Sequence, residues 1–164
     1  MKGLIILVVI LSLLSLNGCA ILKEPTITMY DDIKQYKYVA ISNTGSLSSG
    51  AGVVFGNQYG VYGGATTKSI NPGSVIEGIL LKKGYTSINE IRPEITDRTL
   101  IVKFGQSGKR DVAGGLGGYT LEVTISFINA RTYENVYSCT AEGQGETEAD
   151  DIREAISRCL SGIE

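Results

Sequence analysis

The sequence predicts an α/β (α+β) fold, a two-layer sandwich in which two helices pack on one face of a small mixed sheet, after an N-terminal signal helix. Three observations carry this prediction. Leu121, Val123, Ile125 and Phe127 alternate with Glu122, Thr124 and Ser126, the period of a strand with one buried face. After the turn-forming run Arg131 to Asn135, residues Val136 to Glu142 return as its hairpin partner. Two further stretches show capping-box spacing ahead of an apolar stripe, and amphipathic helices of that kind must bury the stripe against a sheet. With 164 residues, the chain has room for one such domain.

Residues 1–18 read as a signal peptide: Lys2, an apolar run from Leu4 to Leu14, then small and polar residues up to Gly18. The run is too short for a spanning helix, which takes roughly 20 apolar residues. Residues 19–34 lack a period and read as a tether, and 35–164 as the domain. Gln35 to Ser42 alternates as a first strand. Asn71-Pro72-Gly73 breaks the chain, Ser74-x-x-Glu77 opens a helix, Lys82 and Lys83 suit its last turn, and Gly84 suits the C′ position. Arg98 to Phe104 reads as a strand ending at Gly105, and Gly105 to Gly118, with six glycines, as a flexible loop. Thr147-x-x-Asp150 starts the last helix, whose Ala149, Ile152, Ala155, Ile156, Cys159, Leu160 and Ile163 share one face. The expected core is Val39, Ile41, Ile79, Leu80, Ile101, Val123, Ile125, Ile156 and Leu160.

Composition narrows the chemistry. The 15 basic and 17 acidic residues leave a net charge of −2, with no basic footprint for nucleic acid. Histidine is absent, which excludes His-dependent nucleophile triads and HExxH zinc sites. Gly105-Gln106-Ser107-Gly108-Lys109-Arg110 departs from a phosphate loop in its spacing and in Arg110, which stands where Ser or Thr would hold Mg²⁺. Glu142, Glu146, Glu148, Asp150 and Asp151 lack the alternation of an EF-hand and suit a helix start. Asp31-Asp32 are adjacent, not opposed across a cleft as in glycosidases. No enzyme, cofactor or metal is expected.

Leu16-Asn17-Gly18-Cys19 resembles a bacterial lipobox. The resemblance implies lipidation of Cys19, cleavage before it, and anchoring by acyl chains that each add roughly 0.8 kcal/mol per buried CH₂. Ala20, rather than aspartate, implies the outer membrane, and the expected orientation faces the periplasm. Cys139 and Cys159 then remain as an even pair in an oxidising compartment, where a disulfide is the first reading and two buried thiols the other.

Between Val39 and Thr67 there is no charge, and Gly52, Gly56, Gly60 and Gly64 recur every fourth residue. Residues 45–67 read as a glycine-rich surface loop, with a partner or self-association surface and a membrane-inserting hairpin as alternatives. Phe55, Tyr59 and Tyr62 are its candidate partner-binding residues.

Tyr36 to Ile41, the helix end Leu81-Lys82-Lys83-Gly84-Tyr85, and the hairpin from Leu121 to Gly143 followed by a helix are similar to small bacterial envelope lipoproteins. Their domain resembles the amino-terminal domain of TolB and the periplasmic domain of the CsgG secretion lipoprotein. Asn129-Ala130-Arg131-Thr132 is similar to the Asp-Ala-x-Thr turn of those domains, with Asn129 in place of aspartate. The resemblance implies a non-enzymatic outer-membrane lipoprotein, held to the membrane through Cys19, that binds another envelope component. The first alternative is an oligomerising subunit of a secretion or assembly apparatus, and the second a hydrolase with an unrecognised site.

Overall fold

The computed structural model describes residues 22–42, 70–112 and 118–163. Six strands form one mixed sheet: β1 (Thr26–Met29), β2 (Tyr38–Ser42), β3 (Thr86–Ser87), β4 (Thr99–Asp111), β5 (Tyr119–Asn129) and β6 (Asn135–Gly143). Their spatial order is β1-β6-β5-β4-β2-β3. The β1, β6, β5 and β4 neighbours are antiparallel, whereas β2 runs parallel to both β4 and β3. Helices α1 (Pro72–Lys82) and α2 (Glu148–Ser161) pack on each other, and α2 lies across β5 and β6. The α+β sandwich expected from the sequence is therefore the fold.

Register explains the two faces. Phe127 lies opposite Tyr137, Ile125 opposite Cys139, and Val123 opposite Ala141. With Val39, Leu100, Val102 and Phe104, these residues form the helix-facing side, which is closed over by Ile76, Leu80, Ile152, Ile156 and Leu160. Glu122, Thr124, Ser126, Ser138 and Thr140 project to the opposite face and stay partly exposed. Ile101 belongs to that second face, paired with Ile128, so it is not a core residue as the periodicity suggested. Ile41 and Ile79 are half-buried at the core's margin.

Three expected boundaries change. Residues 19–34 do not act throughout as a tether: Thr26–Met29 pairs with β6 as an edge strand, and Ile33 is buried in the core. All four β1 residues are exposed, so no alternation of burial marked the strand; backbone pairing alone makes it. The loop expected at 105–118 begins later, because β4 continues to Asp111 through a bulge between Gln106 and Gly108. Cross-strand pairing with β5 outweighs the entropic cost of Gly105 and Gly108. Finally, α1 starts one turn earlier than the Ser74 box implied. Asn71 is the N-cap, its side chain accepts the Ser74 N–H, and Pro72 occupies the first turn. Thr147 caps α2 by accepting the Asp150 N–H. Gly84 holds φ +92°, the left-handed geometry that ends α1.

Candidate functional site

Cys139 in β6 and Cys159 in α2 are joined by a disulfide, with Cα atoms 5.5 Å apart. The bridge clips the last helix to the sheet. Beside it, the Tyr137 hydroxyl donates to the Cys159 carbonyl at 2.6 Å, and burial pushes the phenol up to about 12. Gly143, at the end of β6, lies against the backbone of α2. A Cβ there would stand 1.9 Å from the Asp151 carbonyl oxygen, so only glycine permits this approach.

Glu142 anchors the other face. Arg110 donates from Nε and Nη2 to its two carboxylate oxygens at 2.8 and 2.7 Å, and the Lys23 N–H donates at 3.0 Å. The Arg110 hydrogen bonds hold the Glu142 carboxyl down to about 2 against the opposing effect of burial. Arg158 closes the arrangement by donating to the Glu142 and Lys23 carbonyls. The N-terminal segment is thus held to the sheet by charge-assisted hydrogen bonds before β1 begins.

The other acids of that stretch serve the entry to α2. Asp150 pairs with Arg153, Asp151 accepts the Gly145 N–H, and Glu154 accepts the Gln144 N–H. Burial raises the Asp151 carboxyl, with the Gly145 N–H opposing it. Among the described residues, no three His, Cys, Asp or Glu side chains gather as metal ligands.

The feature that the sequence did not reveal is the sheet edge. From Pro25 to Tyr30 there is no charge, and among the described residues β1 is one of the sheet's two edge strands. Ile27 is 43 % exposed, Met29 54 % and Tyr30 61 %. Edge strands are ordinarily guarded by charge, proline or a bulge within the strand, because unpaired backbone groups recruit another strand. Here Pro25 precedes the strand and Asp31 follows it, while Thr26–Met29 itself has no such guard.

The exposed strip extends toward the β5–β6 turn. Tyr30 and Tyr133 line one cavity of about 650 Å³. Tyr133 is 75 % exposed and has φ +61°, rare for an aromatic residue. The turn holds it there: Asn129 Oδ1 accepts the Arg131 and Thr132 N–H groups at 2.8 and 3.2 Å, and its carbonyl accepts the Tyr133 N–H at 2.9 Å. Asn129 Nδ2 donates to the Tyr36 hydroxyl, which in turn donates to Asp31. Asparagine supplies the acceptor that this Asx-type turn requires.

Cys19 and the candidates Phe55, Tyr59 and Tyr62 lie outside the described residues. No helix among the described residues is long and apolar enough to cross a membrane.

No protein-family model matches the chain, and no curated protein is significantly similar in sequence. Solved structures do share the fold. The PelC dodecamer from Paraburkholderia phytofirmans is 15 % identical, with a TM-score of 0.54 over 87 % of this chain and 99 % of that one. A single-substitution variant of the same PelC dodecamer is 14 % identical, with a TM-score of 0.52 over 85 % of this chain and 96 % of that one. At such identities the likeness is one of fold, and the chain adopts the fold of a PelC subunit.

Proposed function

We propose that this chain is a non-enzymatic, lipid-anchored protein of the bacterial outer membrane whose periplasmic domain self-associates through the β1 edge. The observation that carries the reading is the uncharged edge strand Thr26–Met29, continued by Tyr30, with its apolar side chains in solvent. The unpaired backbone groups of such an edge are a template for another strand. Support comes from the PelC subunit of the same fold, which forms a dodecamer. The two sheet edges differ in kind, one antiparallel and four residues long, the other parallel and two residues long. An interface joining unlike surfaces repeats head to tail, and a rotation that closes makes it a ring. The lipobox-like Cys19 supports the anchor, and the Cys139–Cys159 bridge suits an oxidising compartment.

The test is mass measurement by light scattering on the detergent-extracted full chain, alongside an Ile27→Lys/Met29→Lys variant. Wild type is expected as a discrete oligomer and the variant as a monomer that still unfolds cooperatively, at a midpoint lowered only by the loss of assembly. A monomeric wild type at tens of micromolar, or a variant that assembles as well as wild type, overturns the reading. The anchor is tested separately: Cys19→Ser should abolish incorporation of labelled palmitate.

A further inference from the structure

A second site lies at the end of the sheet where β1 stops. A cavity of about 600 Å³ opens between the β1–β2 connection, the end of α1 and the entry to β4. Lys34, Lys37, Lys83 and Arg98 line it, and among the described residues no acidic side chain does. These four come from three separate segments of a chain whose net charge is −2.

Basic residues elsewhere find carboxylates: Lys23 and Arg110 at Glu142, Arg131 at Asp97, Arg153 at Asp150. None of the cavity's four cations forms an ion pair among the described residues. Of the acids nearest in sequence, Asp97 pairs with Arg131, and Asp31 and Asp32 accept from neutral donors. Asp32 accepts the Lys34 N–H, and Asp31 accepts from Asp32 N–H, Gln35 and Tyr36. Lys37 Nζ and Arg98 Cζ each stand 6.0 Å from the centroid of the Tyr38 ring, so two like charges share one aromatic neighbour. Lys83 Nζ donates to the Ile163 carbonyl at 2.6 Å, which fixes it at the rim. Asp31 and Asp32 act on the lining Tyr36 and Tyr85 from outside the cavity, whereas the four cations line it, and an anion placed among like charges lowers their repulsion.

We propose that this cavity binds a phosphoryl group. Four cations match a multiply charged oxyanion better than a single carboxylate, and a guanidinium fork beside lysine point charges is a phosphate-binding combination. The cavity exceeds the volume of phosphate alone and falls within the usual range for small-molecule sites, roughly 300–1,000 Å³. Tyr85, half-buried with its hydroxyl engaged by the Ile33 carbonyl, lines its wall and leaves ring surface for the organic part of the ligand.

Calorimetric titration of the full chain in uncharged detergent tests this, with two probes that separate the sources of such a group. Pyrophosphate represents a soluble phosphate compound, and glycerophosphoglycerol represents the headgroup of an anionic lipid. Saturable binding of either probe at low salt, weakened roughly tenfold or more (about 1.4 kcal/mol) by Lys37→Ala/Arg98→Ala, supports the site, and the tighter probe identifies the source. Arg98→Lys should recover part of the loss. Lys103→Ala, on the uncovered face of β4, should leave binding unchanged. Absence of saturation by both probes up to roughly 10 mM, or equal binding by the folded double variant, overturns the proposal.

Discussion

Tyr137 and Glu142 stand five positions apart in β6, turned to opposite faces by the pleat, and each sets a pH limit. The Glu142 carboxyl falls from its ordinary 4.5 to about 2. Its contribution to stability is therefore present above pH 4.5 and disappears as pH falls through about 2. Glu142→Gln should remove that acid dependence, measured as the slope of the unfolding midpoint between those values. Tyr137 is the reverse case: its phenol rises from 10.0 to about 12, so its contribution holds below pH 10 and is lost as pH climbs through 12. Tyr137→Phe should flatten the alkaline limb of the same curve. It should also cost about 1–3 kcal/mol at neutral pH, because the Cys159 carbonyl loses its side-chain donor. Unaltered denaturant midpoints would show that water replaces the hydroxyl there.

The union of α2 with β6 rests on close backbone approach and a covalent link, and each can be tested separately. Gly143→Ala would force the helix away from the strand and should destabilise by about 1–3 kcal/mol or more. Chemical unfolding of the oxidised protein gives the value. Loss of the Cys139–Cys159 bridge should cost about 2–5 kcal/mol, the usual effect in small secreted domains. Cys139→Ala/Cys159→Ala, measured without reductant, isolates it; a midpoint equal to wild type would mean that α2 docking needs only its apolar face. The β4–β5 hairpin shows a similar balance of forces. Gly105 and Gly108 weaken β4 intrinsically, yet pairing carries the strand through a bulge to Asp111 and delivers Arg110 to Glu142.

For the whole molecule, the uncovered edge and the cationic cavity draw on different side chains and should be separable. Edge substitutions at Ile27 and Met29 should change mass but not pyrophosphate binding, and the Lys37/Arg98 pair should do the opposite. Hydrogen exchange on the assembled full chain offers a further check. Amides of Thr26–Met29 should gain protection relative to the Ile27→Lys/Met29→Lys monomer if β1 lies in the interface. Equal protection would place assembly elsewhere on the domain.

The period-2 pattern at Leu121–Phe127, the returning strand Val136–Glu142 and the apolar stripe of α2 were legible in the sequence, because burial of one face writes a repeating pattern into side chains. Together with the first strand and α1, they determined the α+β class. β1 was not legible, since an exposed four-residue edge is made by backbone hydrogen bonds that leave no pattern in composition. Nor was the far half of β4, where glycine content argued for a loop and pairing with β5 overruled it. Parity and an oxidising compartment raised the Cys139–Cys159 pairing, but a 5.5 Å Cα separation depends on how α2 docks. The cavity's four cations stand at positions 34, 37, 83 and 98, too far apart along the chain to form a motif. Only the parallel pairing of β2 with β3 and β4 brings them together, because sites built from segment ends are properties of topology, while one-sided burial is a property of sequence.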